Sequence, residues 1–135
     1  MDLNLHKLFS KINTFYTPAF IYDEKTIIGV LIILTKIRIK AHCKLLFPLK
    51  PFSLADALHL MASHIDGCSA SSLFEAKLAR DILGNQKAVH ITTPGFRPDE
   101  ISIISELCNY ISFNSLSQWE RYRKGIRAKQ AVGSG

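Results

Sequence analysis

At 135 residues, with 47% apolar and 21% charged residues, the chain is sized and composed for one folded domain, which excludes a disordered or collagen-like polymer. The longest apolar run, 27–34 with Gly29 included, is eight residues and falls short of the roughly 20 that a membrane helix needs. The net charge of +6 admits an anionic partner. Its placement argues for a solvated face instead of a nucleic-acid patch: Lys36, Arg38 and Lys40 end one helical segment, and Arg121, Arg123, Lys124, Arg127 and Lys129 crowd another.

Residues 1–10 contain Asp2, His6 and Lys7 and no apolar core or small-residue cleavage site, so they do not read as a secretion signal. The expectation is a cytoplasmic protein without a membrane span. Cys43, Cys68 and Cys108 lie far apart with no C-x-x-C pair, which predicts buried free thiols. His42 beside Cys43 on a strand would point to the opposite face, so no metal site is assigned.

In chain order, "AFIY" at 19–22 reads as a short strand and Asp23 as an N-cap. The helix that follows, about 24–40, is apolar on most of its circumference, the pattern of a fully covered helix. Residues 1–40 are therefore expected as an N-terminal strand and helix packing on the unit formed by 41–135.

That second part carries a repeat. Four short strands, "CKLLFPLK", "DGCSAS", "AVHITT" and "YISFN", each precede a helix start. Their last polar residues, Lys50, Ser71, Thr92 and Asn114, are spaced by 21, 21 and 22 residues, and one more step reaches Gly135. Ser53-Leu-Ala-Asp56, Ser72-Leu-Phe-Glu75 and Ser115-Leu-Ser-Gln118 have the spacing of capping boxes. The remaining helix enters through "RPDEIS", where Pro98, Asp99 and Glu100 suit a first turn. Segments 54–64, 73–83 and 99–108 carry apolar residues at helical intervals, and Gly84 stops the second.

Strand and helix in alternation imply a parallel sheet. No G-x-G-x-x-G follows the first strand, and the even spacing with polar residues at every strand's carboxyl end favours a barrel over an open dinucleotide fold. The fold class is α/β, a partial (β/α)8 TIM barrel of about four to five βα units. A whole barrel takes eight units and about 250 residues.

Lys50 then falls at the mouth where barrel enzymes bind ligands. The residues leave two roles open: a solvated charge, or an amine desolvated among apolar walls that attacks a carbonyl and holds it as a Schiff base. Pyridoxal phosphate is the common carbonyl partner for such a lysine. His90, Ser71 and Asn114 are candidates to line the same pocket, although hydrogen bonding and turn formation also explain them. Tyr22, Phe47, Phe52, Phe96 and Phe113 read as core, and Trp119 and Tyr122 share a helix face. Pro48, inside the first strand, marks an edge or bulge that shifts the direction of Lys50.

The segments "TPAFIYDEKTI", "KLLFPLKPFS", "DGCSASSLFEAKLAR", "VHITTPGFRPDEI" and "YISFNSLSQWERYR" together resemble the N-terminal part of the carboxynorspermidine and carboxyspermidine decarboxylases. These are fold type III enzymes with an alanine-racemase-like barrel. The resemblance implies a pyridoxal-phosphate enzyme of polyamine biosynthesis with its Schiff base on Lys50, a small carboxypolyamine substrate, and a homodimer when full length. It also implies that the phosphate-binding loop, the partner of the pyridine nitrogen and a C-terminal β domain lie beyond Gly135. The alternative reading is a non-catalytic half-barrel acting at most as a cofactor-binding or interaction module.

Overall fold

A computed structural model describes residues 18–126, positions 10, 14 and 16 before them, and the backbone of 131–134. Asp23 opens helix α1 (Glu24–Ala41), its carboxylate accepting from the Lys25 amide and the Thr26 hydroxyl. The helix ends where His42 turns left-handed at φ 50°, so that the Cys43 and His42 amides close on the carbonyls of Arg38 and Ile39. Then follow β1 (Leu46–Pro48), α2 (Ala55–Met61), β2 (Gly67–Ala70), α3 (Leu73–Leu83), β3 (Ala88–Thr92), α4 (Ile101–Leu107), β4 (Tyr110–Phe113), α5 (Leu116–Tyr122) and β5 (Ala131–Ser134). The five strands pair in parallel in the order β1-β2-β3-β4-β5. The four strands read from the sequence are all present, and β5 falls where the repeat steps next.

Alternation divides the sheet into two unlike faces. Register rows run Phe47, Cys68, Val89 and Ala70, Ile91, Ile111. With Leu49 and Phe113 these form the core beneath the helices, joined by Ala57, Leu58 and Met61 of α2, Ala76 and Ala79 of α3 and Ile101 and Ile104 of α4. The second face has no helix on it and carries Pro48, Ser69, His90 and Tyr110 in one row, with Thr92 and Ser112 in the next. Gly67 starts β2 because a Cβ there would lie 2.1 Å from the Ala88 carbonyl oxygen.

Ser72 accepts from the Glu75 amide at 3.2 Å and Ser115 from the Gln118 amide at 3.3 Å, as the spacing predicts. In both boxes the longer side chain reaches one residue further back than the cap, Glu75 to the Ser71 amide and Gln118 to the Asn114 amide. Gly84 ends α3 with φ +60°, a conformation an L side chain rarely adopts.

Several expectations are corrected. Residues 19–22 form no strand: they pair with none of β1 to β5, the strands among the described residues, and Phe20 is fully exposed. Ser53 does not cap α2, whose N-cap is Leu54 without a side-chain bond, because the Leu49–Phe52 turn delays the helix. Helix α1 is covered on one side only: Leu31 is buried while Val30, Ile33 and Ile37 face solvent, since α2 reaches a single stripe of it. Phe52 is exposed in the loop after β1, and Cys43 is exposed beyond the end of α1. Cys68 and Cys108 are buried thiols, pushed up by desolvation to about 11 and about 12.

Arg38, read from the sequence as part of a solvated face, is instead engaged by the fold, as are Lys87 and Arg80. Arg38 pairs with Asp66 at 2.5 Å, Lys87 donates to the Ala62 and Ile65 carbonyls, and Arg80 donates to the carbonyls of Leu107, Gly84 and Lys87 and to Asn109 Oδ1. These three act as staples between the amino ends of the strands and the ends of the helices. Among the described residues no helix is long and apolar enough to cross a membrane, and no group of three His, Cys, Asp or Glu is placed to hold a metal ion.

Candidate functional site

Parallel strands bring their carboxyl ends to one edge of the sheet, and the polar face and that edge together make the candidate site. Lys50 lies in the turn after β1, closed by the Phe52 amide donating to the Leu49 carbonyl at 3.1 Å. Leu49 is wholly buried, and Lys50, two residues beyond Pro48, is exposed at the carboxyl end of β1. Pro48 costs the sheet no ladder bond where it stands, because β1 pairs on one side only.

His90 is not at a strand end but in the middle of β3. Its Nδ1 lies 3.2 Å from Ser69 Oγ on β2, and its Nε2 lies 2.9 Å from Ser112 Oγ on β4. One imidazole thus joins three adjacent strands. Desolvation lowers its pKa from the ordinary 6.5, favouring the neutral ring. Neutral imidazole has one N–H donor and one bare nitrogen, so one serine donates to the ring and the other accepts from it.

Ser71 is engaged by the cap of α3: its amide donates to Glu75 Oε2 at 2.7 Å and its hydroxyl donates to the same carboxylate. Asn114 is exposed past β4, its amide facing Gln118. Thr92 ends β3 on the polar face, and Tyr110 enters β4 there with Lys44 5.8 Å above its ring. Sequence reasoning missed Ser69 and Ser112. The available signal was the alternation in "GCSA" and "YISF", which assigns the serines to the face opposite Cys68, Ala70, Ile111 and Phe113.

Phe96, Phe113 and Trp119 hold the β3–α4 loop against β4, with ring centroids 5.1 and 5.7 Å apart. Tyr122 donates to the Phe96 carbonyl at 2.9 Å from a buried position. These contacts anchor the β3–α4 loop and α5 on the helix side of the sheet, behind the carboxyl edge.

No family model matches the chain. It is 35% identical over 117 residues to carboxyaminopropylagmatine decarboxylase of Synechocystis, covering 87% of this chain and 30% of that protein. It is 34% identical over 117 residues to carboxynorspermidine/carboxyspermidine decarboxylase of Campylobacter jejuni, with the same coverage. The crystal structure of carboxynorspermidine decarboxylase from Campylobacter jejuni, complexed with norspermidine, superposes with a TM-score of 0.81 at 31% identity, over 87% of this chain and 31% of that one. The chain is homologous to the N-terminal part of the carboxynorspermidine/carboxyspermidine decarboxylases. It spans about 30% of the length of these curated relatives. The open five-stranded sheet is accordingly a partial TIM barrel, the first units of the carboxynorspermidine decarboxylase fold. Its polar face is the side that such a barrel turns inward.

Proposed function

We propose that this chain is the Lys50-bearing part of a pyridoxal-phosphate-dependent decarboxylase that acts on a carboxylated polyamine. The observation that carries the reading is the position of Lys50: an exposed primary amine at the carboxyl edge of a parallel sheet homologous to that of the decarboxylases. The residues present fit the cofactor in kind. Lys50 supplies the amine that would hold its aldehyde, while His90, Ser71 and Asn114 are the pocket-lining candidates, Ser71 through whatever its bond to Glu75 leaves accessible. When bound, the cofactor supplies an electron sink for loss of carbon dioxide. The cation on Lys50 and the hydroxyls on the polar face suit an anionic ligand.

The relatives bear names with different carboxylated polyamines, so the substrate is proposed at that level, with carboxynorspermidine or carboxyspermidine as the finer assignment. A cytoplasmic location and a homodimer of the longer protein belong to the same proposal. The second reading is a non-catalytic half-barrel acting at most as a cofactor-binding or interaction module, for which the unpaired outer edge of β1 offers a surface. The test for Lys50 is borohydride reduction of the chain after incubation with pyridoxal phosphate, followed by peptide mapping. The expected product is cofactor fixed on Lys50 and absent in Lys50→Ala; labelling spread over other lysines, or none, rejects the assignment.

A further inference from the structure

Barrel interiors are ordinarily packed with bulky branched residues. Here the inward side of β2, β3 and β4 carries Ser69, His90 and Ser112 as one hydrogen-bonded chain that steps from the His90 register row to the Thr92 row, while the branched residues Val89, Ile91 and Ile111 lie under the helices. Ser71, Thr92 and Asn114 stand two residues further along their strands, or just past them, toward the mouth. Ser69 and His90 are thus level with Pro48, two residues before Lys50, and Ser112 is level with Thr92 in the next row toward the mouth. Each side chain alone has an ordinary explanation; together they place directed polarity where packing would place hydrocarbon.

We infer that His90 is a positioning residue, a hinge of hydrogen bonds that fixes Ser69 and Ser112 in opposite roles as the floor of the ligand pocket. This rests on the function proposed above. The serine that donates to the bare ring nitrogen keeps only lone pairs for a ligand. The serine that accepts from the ring N–H keeps its own proton and can donate it. The floor therefore offers one acceptor and one donor in fixed order, complementary to a ligand with a donor and an acceptor on its buried edge, as a substituted pyridine has. Protonation of His90 turns both nitrogens into donors and erases the difference. Among the described residues, Tyr110 with Lys44 at the amino end and Lys50 in the turn after β1 are the titratable groups nearest this face in the register, and the cause of the lowered His90 pKa is desolvation.

The experiment measures pyridoxal phosphate affinity for the intact chain by absorbance from pH 5 to 8, beside ¹⁵N spectra of the imidazoles. The parent is expected to show one neutral His90 tautomer at pH 7 and an affinity that drops through the His90 titration, below pH 6.5. His90→Phe should bind about tenfold more weakly, the loss of one oriented hydrogen bond. His90→Gln, whose amide offers both a donor and an acceptor, should recover to within about threefold and lose the acid step. Circular dichroism establishes that both variants fold. The inference is overturned if the parent shows no step absent from His90→Gln, or if folded Phe and Gln variants bind alike. A parent chain that takes no cofactor on Lys50 instead rejects the proposed function, and this inference with it.

Discussion

Asp66 binds Arg38 at 2.5 Å with one carboxylate oxygen and the Leu45 amide at 2.7 Å with the other, tying the end of α1 to the start of β1. Desolvation raises the pKa of this carboxyl, but the Arg38 and Leu45 hydrogen bonds and the charges of Arg38 and Lys87 outweigh it and set it below the ordinary 3.8. A depressed pKa contributes stability that is present above the unfolded value and lost as pH falls through the folded value. Acid unfolding of the chain should therefore be shifted to higher pH by Asp66→Ala. At pH 7 the same change should destabilise by about 2 kcal/mol, measured by urea titration. An unchanged midpoint at both pH values would show that the tie carries no stability.

Gly67 should tolerate no side chain. A Cβ at 2.1 Å from the Ala88 carbonyl oxygen forces β2 and β3 apart, so Gly67→Ala is expected to cost about 3 kcal/mol or to abolish folding. Thermal unfolding with a midpoint equal to the parent's would show that the backbone yields there.

The three serine caps should separate in a mutational series. Ser72→Ala and Ser115→Ala each remove a bond to an early helix amide and should lose about 1 kcal/mol. Ser53→Ala should be neutral, because Leu54 is the N-cap of α2 and no side chain caps that helix. Equal losses at all three positions would contradict the shortened α2.

Thiol reactivity should follow burial. At pH 8 iodoacetamide is expected to modify Cys43 at least about 100-fold faster than Cys68 and Cys108, whose thiols are buried and pushed up to about 11 and about 12. Mass spectrometry of partly alkylated protein reads the order directly. Early modification of Cys68 would mean that the sheet opens at β2.

Turnover should require more than these residues. With cofactor and carboxynorspermidine, the 135-residue chain is expected to release carbon dioxide no faster than free pyridoxal phosphate, since it spans 30% of its decarboxylase relatives. Clear release above that rate would place a complete active site within this sequence.

Period and punctuation made most of the architecture legible. The 21- and 22-residue steps located four strands, Ser72 and Ser115 marked two helix starts, Gly84 marked an end, and the order of strand and helix dictated parallel pairing. Those features are local, each set by a few neighbouring residues. What lies next to a segment is not local. Residues 19–22 have strand-like composition but no strand to pair with, and α1 has apolar residues all round but a neighbour on one side only. Arg38 reads as solvated charge until the fold brings Asp66 to it. The same holds for the site. Lys50 was visible as a charge at the end of an apolar run, whereas the bond from His90 to Ser69 and Ser112 spans 21 and 22 residues of sequence. The register of three parallel strands creates it, because only pairing decides which side chains on neighbouring strands share a face.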